Sequence, residues 1–183
     1  QSYPRTWEAD CAALQAHQTD LVFAPSVEEI YPDGPVLRTR VEVPALSDIL
    51  CGASRPGHFT GVATVVAKLL NIVQPDLAVF GLKDYQQLMV IQHMVRDLSL
   101  PVEIVGGPVA REENGLAMSS RNAYLTDAER EIAPVLYATL CTLAERLQAG
   151  EHDLNALIAD GLEAISRTGM KPDYLEIRRA DDL

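Results

Sequence analysis

The sequence is poor in three features that point to particular protein classes. Its 183 residues include three cysteines, Cys11, Cys51 and Cys141, which form no C-x-x-C pair. This pattern fits neither a disulfide framework nor a zinc site, and it predicts reduced thiols in a cytoplasmic protein. No apolar run approaches the roughly 18 residues that a membrane span needs, so we expect no membrane partner. Cationic residues are also few, with 15 Lys and Arg against 26 Asp and Glu and a net charge of −11. We therefore expect no nucleic-acid partner.

The remaining composition is that of a globular protein. Hydrophobic residues make up 48% and charged residues 22% of the chain. The length fits one domain and a small second one. The first residues contain neither the apolar core of a signal peptide nor an initiator Met. We therefore expect the chain to begin within a longer gene product.

Alternating helix and strand signals predict an α/β fold for the first 110 residues. Helical spacing marks residues 6–16, 60–74 and 84–98, and β-rich runs mark residues 20–24, 37–43, 76–81 and 102–105. The nearly continuous apolar run at 76–81 predicts a central parallel strand covered on both faces, and Asp84 is placed to cap the next helix. This alternation is typical of a doubly wound parallel sheet.

The pattern changes at Gly106-Gly107-Pro108, where we place a hinge, with a domain boundary after residue 110. Thr126-Asp127-Ala128-Glu129 has the form of a capping box and predicts one long helix that ends at Gly150. A second helix is predicted over about 154–167 and a strand over 173–178. Residues 111–183 are thus predicted to form a smaller α+β domain.

The first candidate site is Gly81-Leu82-Lys83-Asp84, directly after the apolar strand. Ligands of open α/β sheets bind beyond the carboxyl ends of the strands. Gly81 would permit close backbone approach, Lys83 would supply a positive charge for phosphate, and Asp84 could accept from ribose hydroxyls. The alternative is that Lys83 is a solvated loop residue and Asp84 only a helix cap.

The second candidate site is the loop from Gly115 to Asn122, in which Ser119 and Ser120 precede Arg121. Two hydroxyls and a bidentate guanidinium could hold a pyrophosphate as it leaves. The alternative is a polar loop between domains. Arg55 and His58 could add anion-binding groups, or they could be ordinary surface residues.

Four strings in this chain, in this order, resemble the pantoate:beta-alanine ligase family. They are Tyr3-Pro4-Arg5-Thr6, Arg55-Pro56-Gly57-His58-Phe59, Phe80-Gly81-Leu82-Lys83-Asp84-Tyr85-Gln86-Gln87-Leu88 and Gly115-Leu116-Ala117-Met118-Ser119-Ser120-Arg121-Asn122. The resemblance covers essentially the whole chain.

The resemblance implies a member of the nucleotidylyltransferase superfamily. It implies a Rossmann-like parallel sheet with helices on both faces (residues 1–110), which binds nucleotide and pantoate, followed by an α+β C-terminal lid domain (residues 111–183). In such an enzyme ATP adenylates pantoate with release of pyrophosphate, and beta-alanine then attacks the pantoyl adenylate to give pantothenate and AMP. The resemblance also implies a requirement for Mg²⁺ and a homodimer.

The resemblance assigns roles residue by residue. ATP contacts are implied for Gly81, Leu82, Lys83 and Asp84, for the backbone of Ala110, and for the loop Met118, Ser119, Ser120 and Arg121 that closes over the triphosphate. Catalytic roles are implied for Lys83, Ser119, Ser120 and Arg121. Gln87 is assigned to pantoate, and Tyr3, Arg55 and His58 to the pantoate and beta-alanine end of the cavity. The metal ligands stay unassigned.

The chain departs from the family pattern in three respects. The first strand and helix of the family, with an H-x-G-H motif and a pantoate-binding Gln, would lie upstream of Tyr3. The C-terminal domain is expected to continue beyond Leu183. Leu82 stands where the family has Glu, which removes a charge beside the nucleotide.

Three alternatives stay open at this point. One is a module that binds ATP without turnover, and another is a different enzyme of the superfamily, such as a nucleotide adenylyltransferase or a synthetase fragment. The third is a purely structural or assembly role.

Overall fold

The computed structural model describes residues 6–34 and 39–183. Within these ranges the helices are α1 (Trp7–Ala16), α2 (Val27–Ile30), α3 (Cys51–Ser54), α4 (His58–Val73), α5 (Tyr85–Asp97), α6 (Asp127–Ile132), α7 (Val135–Gln148) and α8 (Leu154–Ser166). The strands are β1 (Leu77–Gly81) and β2 (Glu103–Gly107), and short 3-10 helices span Leu82–Asp84 and Ser120–Tyr124. None of the helices in these ranges is long and apolar enough to cross a membrane.

The two strands form a parallel pair, and helix α5 makes the crossover between them. Their register runs from Leu77 beside Glu103 to Gly81 beside Gly107. Parallel strands need a crossover connection, usually a helix, to bring the chain back to the end of the sheet where the first strand began. The predicted α/β class with a Rossmann-like parallel sheet is confirmed.

The larger hydrophobic core lies between the sheet and helices α4 and α5. Its buried members, called here the first core, are Val43, Leu46, Phe59, Ala63, Ala67, Leu70, Met89, Val90, Ile91, Met94 and Val95. Ala78, Phe80 and Ile104 pack against it from the strands. Apolar residues at intervals of three and four give each helix one buried face, which explains why α4 and α5 pack side by side.

Strand β1 is covered on one face only, in contrast to the prediction of cover on both faces. Ala78 and Phe80 face the first core, whereas Leu77 and Val79 are 49% and 63% exposed. Successive side chains of a strand point to opposite faces of the sheet. Since α4 and α5 pack on the Ala78 side, the Leu77 and Val79 side is left open among the described residues.

The C-terminal half has a smaller core of its own between α7 and α8. Leu143, Leu157 and Ile165 are buried there together with Leu175, which lies beyond α8. Gly161 permits the close packing, because a Cβ at that position would lie 2.5 Å from Leu175 Cδ2 and 2.9 Å from Leu143 Cδ1. The boundary after residue 110 stays a prediction.

The single long helix predicted from Thr126 is wrong, because the chain forms two helices, α6 and α7. The break falls at Ala133 and Pro134. Proline lacks the N–H that a helix interior needs, and its ring clashes with the preceding turn. The predicted capping box is confirmed: Thr126 Oγ1 accepts from the Glu129 N–H at 3.3 Å, and Glu129 accepts from the Thr126 N–H at 2.8 Å.

Three predicted strands do not form in the described residues. Residues 20–24, 39–43 and 173–178 are extended or irregular without ladder pairing, and residues 37 and 38 lie outside the described ranges. Local β propensity reflects packing on a sheet, and within residues 6–34 and 39–183 these segments pair with no neighbouring strand. Asp84 occupies the predicted N-cap position of α5, but its side chain makes no capping hydrogen bond and the residue also ends the 3-10 helix Leu82–Asp84.

The last residues return to the first half of the molecule. Tyr85 Oη donates to the carbonyl oxygen of Ala180 at 2.8 Å, and Leu183 packs against the first core. These contacts place the C-terminal segment beside the carboxyl end of β1.

Candidate active site

A cavity of about 250 Å³ opens beside the carboxyl end of β1. This first cavity is bounded by the 3-10 helix that follows β1, by the start of α5 and by the start of α4. Five side chains singled out from the sequence line it, namely Arg55, His58, Lys83, Asp84 and Gln87. The crevice at a strand end, predicted from the general behaviour of open sheets, is therefore present and polar.

Lys83 and Asp84 meet in this cavity as an exposed ion pair. Their Nζ and Oδ2 atoms are 3.4 Å apart, and the side chains are 38% and 61% exposed. Pairs of this kind contribute about 0–1 kcal/mol, so the ammonium can exchange Asp84 for another anion at little cost. Next to them, a Cβ added at Gly81 would meet no atom within 4 Å, which shows open space at the strand end.

His58 begins helix α4 and stands beside Arg55. Burial and the positive charge of Arg55 hold the pKa of His58 below its usual range, and the carboxylate of Asp84 opposes the shift. The imidazole is therefore neutral at pH 7. A neutral imidazole can accept a proton or a hydrogen bond, which an imidazolium cannot.

Leu82 is turned toward β2 rather than toward the open space. A Cβ at Gly106 would lie 3.0 Å from Leu82 Cδ2, so Leu82 fills the position above this glycine. The residue thus contributes packing at the strand end, and its predicted backbone contact with ATP stays a prediction.

Two residues that the sequence analysis did not select complete the wall of the first cavity. Cys51 Sγ and Tyr174 Oη form a hydrogen bond of 2.8 Å, although the two residues are 123 positions apart. Burial, with this bond as the second cause, raises the pKa of Tyr174 to about 12. The cavity is therefore built from both halves of the chain. No local sequence signal could have found this pair, because nothing in either segment encodes the other.

Gln86 is a second residue that sequence reasoning missed. It lies four positions before Val90 and eight before Met94, on the buried face of α5. A polar residue on an otherwise apolar helical face is a sequence signal that could have identified Gln86. Its amide bonds to the backbone of residues 46–51.

The predicted phosphate loop lies in a different place. Met118, Ser119 and Ser120 line a more open second cavity of about 540 Å³, together with Glu112, Asn122, Ala123 and Arg130. Ser119 Oγ accepts from the Arg121 N–H at 3.2 Å and so caps the 3-10 helix Ser120–Tyr124. Ala110 contacts this loop through its carbonyl oxygen, which accepts from the Met118 N–H at 2.9 Å.

The base of that loop is fixed on α6 and α7. Arg111 pairs with Ala117 in an antiparallel bridge, and its guanidinium carbon lies 3.5 Å from the centre of the Tyr137 ring. Gly115 has φ +90°, and a Cβ there would lie 2.9 Å from Tyr137 Cδ1. Glycine is thus required both by the backbone angle and by the space.

The structure gathers some predicted residues and separates others. Arg55, His58, Lys83, Asp84 and Gln87 share the first cavity, whereas Met118, Ser119 and Ser120 line the second. Tyr3 lies outside the described residues. Among the residues that the structure describes, no group of three or more His, Cys, Asp and Glu could hold a metal ion by itself.

The fold and the site define a Rossmann-like α/β protein with a polar crevice at the carboxyl end of a parallel strand. A sequence model of the pantoate-beta-alanine ligase family matches residues 1–183, and the chain belongs to this family.

Known proteins of the same kind support the assignment. The chain is 61% identical over 183 residues to the pantothenate synthetase of Alkalilimnicola ehrlichii. This alignment covers 100% of this chain and 64% of that protein. A crystal structure of pantothenate synthetase from Thermus thermophilus superposes with a TM-score of 0.93 at 50% identity, over 100% of this chain and 66% of that one. The pantoate-beta-alanine ligase of Francisella tularensis, solved in complex with beta-gamma ATP and beta-alanine, gives a TM-score of 0.83 at 37% identity, over 97% and 64% of the two chains. The chain thus spans less than two thirds of the length of the curated relatives it matches.

Proposed function

We propose that the protein condenses pantoate with beta-alanine at the expense of ATP. Pantoate is first adenylated with release of pyrophosphate, and beta-alanine then displaces AMP to give pantothenate. The observation that carries the proposal is the family match over residues 1–183, joined to a cavity in which five predicted site residues converge.

The first cavity supplies the charge that adenylation needs. ATP and pantoate are both anions, and the chain itself carries a net charge of −11. A local group of cations must therefore offset the repulsion as the pantoate carboxylate approaches the α-phosphate. Lys83 is the ammonium at the strand end, and its weak pair with Asp84 leaves it able to bind phosphate oxygens. Charge-assisted hydrogen bonds of about 1.5–3 kcal/mol each suffice when several converge.

The acid substrate would bind at the other end of the first cavity. Gln87 would hold pantoate, and Arg55 with neutral His58 would lie near the pantoate carboxylate and the incoming amine. Beta-alanine attacks as the free amine, so a neutral imidazole in this position can take up the proton that the amine loses. The adenylate is already activated, and positioning alone can lower the barrier of the second step by roughly 7–11 kcal/mol.

The requirement for Mg²⁺ is compatible with the residues present. Magnesium is commonly held by one or two carboxylates together with substrate phosphates. Asp84 is the carboxylate that lines the first cavity, and it would supply one such oxygen. The ion would offset phosphate charge when bound.

Residues 111–183 would form a lid domain hinged near residues 106–108, and the part that closes would be the loop of residues 115–122, because Tyr174, Ala180 and Leu183 already contact the first half. Met118, Ser119, Ser120 and Arg121 would then meet the triphosphate of an ATP bound at Gly81, Leu82, Lys83 and Asp84, with Ala110 contacting adenine. Closure would also protect the adenylate from water. Because the loop and Lys83 line different cavities, the proposal requires a movement that brings them together.

The proposal is tested by following pyrophosphate and pantothenate in the same reactions. With ATP, Mg²⁺, pantoate and beta-alanine, both products should form in equal amounts over many turnovers. Without beta-alanine, pyrophosphate release should stop at about one equivalent per site, because the adenylate stays bound. Without pantoate none should form. ATP binding without pyrophosphate release would instead support an ATP-binding module.

A homodimer, which the family resemblance implies, and a cytoplasmic location, which the cysteine pattern predicts, complete the proposal. Cys11, Cys51 and Cys141 form no disulfide within the described residues. Light scattering of the purified protein tests the dimer, and cell fractionation tests the location.

A further inference from the structure

One wall of the first cavity is made by a turn held in an uncommon backbone conformation. Leu50 and Cys51 line the cavity at the point where a run of turns that begins at Pro44 meets helix α3. Leu50 has φ +50° and ψ −122°, and Ala45 has φ +67°. The angles of Leu50 belong to the first central position of a type II′ turn, where glycine is the usual residue. Such conformations persist only where the surroundings impose them, and they cluster at functional sites.

The side chain of Gln86 bonds to both peptide units that flank Leu50, in addition to the turn's own bond from the Gly52 N–H to the Ile49 carbonyl oxygen at 2.7 Å. Gln86 is only 8% exposed. Its Nε2 donates to the carbonyl oxygens of Leu46 and Ile49, each at 2.8 Å, and its Oε1 accepts from the Cys51 N–H at 3.2 Å. Both N–H groups of the amide are therefore used. The bonds to Ile49 and Cys51 flank Leu50 on both sides, so they fix the peptide units that define its angles.

Gln86 and Gln87 are adjacent at the start of α5, but their side chains point in different directions. Successive helical residues point about 100° apart. Both residues border the first cavity, but the amide of Gln86 is bonded to the backbone of residues 46–51. One turn of helix thus carries both the residue that bonds to the Leu50–Cys51 wall and the residue proposed to hold pantoate.

We propose that Gln86 is a positioning residue for the acid substrate. It sets the place of the Leu50–Cys51 wall relative to Gln87, and thereby the fit of pantoate in the first cavity. The inference rests on the proposed function, because affinity for pantoate is its readout. It assigns Gln86 no contact with the reacting atoms.

The first test compares Gln86→Met with Gln92→Met. Both changes replace an amide by an unbranched apolar side chain on α5, but Gln92 is partly exposed and does not line the first cavity. In Gln86→Met we expect the KM for pantoate to rise about tenfold or more, since small misplacements at a site have large kinetic effects. The KM for ATP should change by less than about twofold, as a defect in binding one substrate predicts. Gln92→Met should leave all constants unchanged, with the folded fraction of each variant measured by circular dichroism.

The second test asks whether Gln86 acts through Leu50. Glycine adopts φ +50° without strain, so Leu50→Gly should need less support from Gln86. In a double-mutant cycle, the effect of Gln86→Met on the KM for pantoate should therefore shrink from about tenfold to about threefold or less in the Leu50→Gly background. If Gln86 only stabilises the protein, Gln86→Met should lower the melting temperature, and its effect on the KM for pantoate should be the same in both backgrounds.

Each outcome separates this inference from the proposed function. An unchanged KM for pantoate in folded Gln86→Met, or an equal effect in both backgrounds, overturns the role of Gln86. Failure of the unmutated protein to make pantothenate counts against the proposed function instead. If Gln86→Met does not fold, Gln86→Asn replaces it in the cycle and is read in the same way, because the shorter amide cannot span the same bonds.

Discussion

The two parts of the candidate site are held in place in different ways. The wall of the first cavity is fixed by the buried amide of Gln86 and rests on the first core. The loop at Ser119 is fixed by contacts nearer the surface. Arg130 and Glu112 form an ion pair of 3.1 Å with side chains 45% and 29% exposed, and Arg111 stacks on Tyr137. Partly exposed ion pairs add little stability, whereas buried satisfied amides hold a single arrangement.

This difference suits the two tasks in the proposed reaction. A pocket that must recognise a small acid gains from a wall that is fixed before the substrate arrives. A loop that must admit a triphosphate and then close gains from anchors that exchange at low cost. The following changes test the comparison, beginning with the largest expected effect.

Lys83→Ala should remove one of the cations that line the first cavity. We expect kcat to fall about 10²–10³-fold with a smaller change in KM, because in the proposed reaction the charge would act mainly on the phosphates in the transition state. Single-turnover pyrophosphate release measures this. Lys171→Ala, at an exposed position beyond α8, is the control and should leave the rate unchanged. A normal single-turnover rate in Lys83→Ala would remove this residue from its role.

Gly52→Ala should break the wall by sterics alone. A Cβ at Gly52 would lie 1.9 Å from the carbonyl oxygen of Ser47, and that backbone atom cannot move without shifting the turn that Gln86 clamps. We expect a loss of about 3 kcal/mol or more in the free energy of unfolding, measured by urea denaturation.

Gly61→Ala is the matched control within the same half. Gly61 lies inside α4, and a Cβ there would meet nothing within 4 Å. Alanine should stabilise the helix by about 0.5–1 kcal/mol. Equal changes in the free energy of unfolding for Gly52→Ala and Gly61→Ala would show that the wall can shift to accommodate the added methyl group.

The sequence predicted the parts of the site that local chemistry determines. Lys83 and Asp84 come directly after an apolar strand, so their place at its carboxyl end follows from the strand alone, whereas Gln87 was assigned through the family resemblance. The contact of Cys51 with Tyr174 depends on how the C-terminal segment folds back, which no local period encodes. Residues 173–178 have strand-like composition, yet they stay unpaired in the described chain because a strand requires a neighbour.

Tyr174→Phe should weaken the junction between the two halves. It removes the hydrogen bond to Cys51, and we expect a coupling of about 1 kcal/mol in a double-mutant cycle with Cys51→Ala. Since folding raises the pKa of Tyr174 to about 12 from 10.0, its contribution is complete below pH 10 and is lost as pH rises toward 12. The stability difference between the unmutated protein and Tyr174→Phe should therefore narrow over that range. A constant difference would show that the hydroxyl does not bond in solution.

Arg130→Ala tests the weaker side of the comparison. It removes the partner of Glu112 at the loop base, and we expect a loss of only about 0.5 kcal/mol in the free energy of unfolding. Arg96→Ala, which breaks the exposed pair with Asp97, should have an effect of the same size. A loss above about 2 kcal/mol for Arg130→Ala alone would mean that this loop is held as firmly as the cavity wall.

The smallest effect concerns the proton of His58, which NMR titration of its ring can follow. Arg55→Gln should raise the pKa of His58, because the guanidinium disfavours a second positive charge beside it, and Asp84→Asn should lower it further. The folded state binds this proton more weakly than the unfolded chain, so the contribution of His58 to stability is complete above its ordinary pKa of 6.5 and is lost as pH falls below it. His58→Asn should flatten that part of the pH profile of stability. A pKa that does not respond to Arg55 would place the two side chains too far apart in solution to act on one substrate.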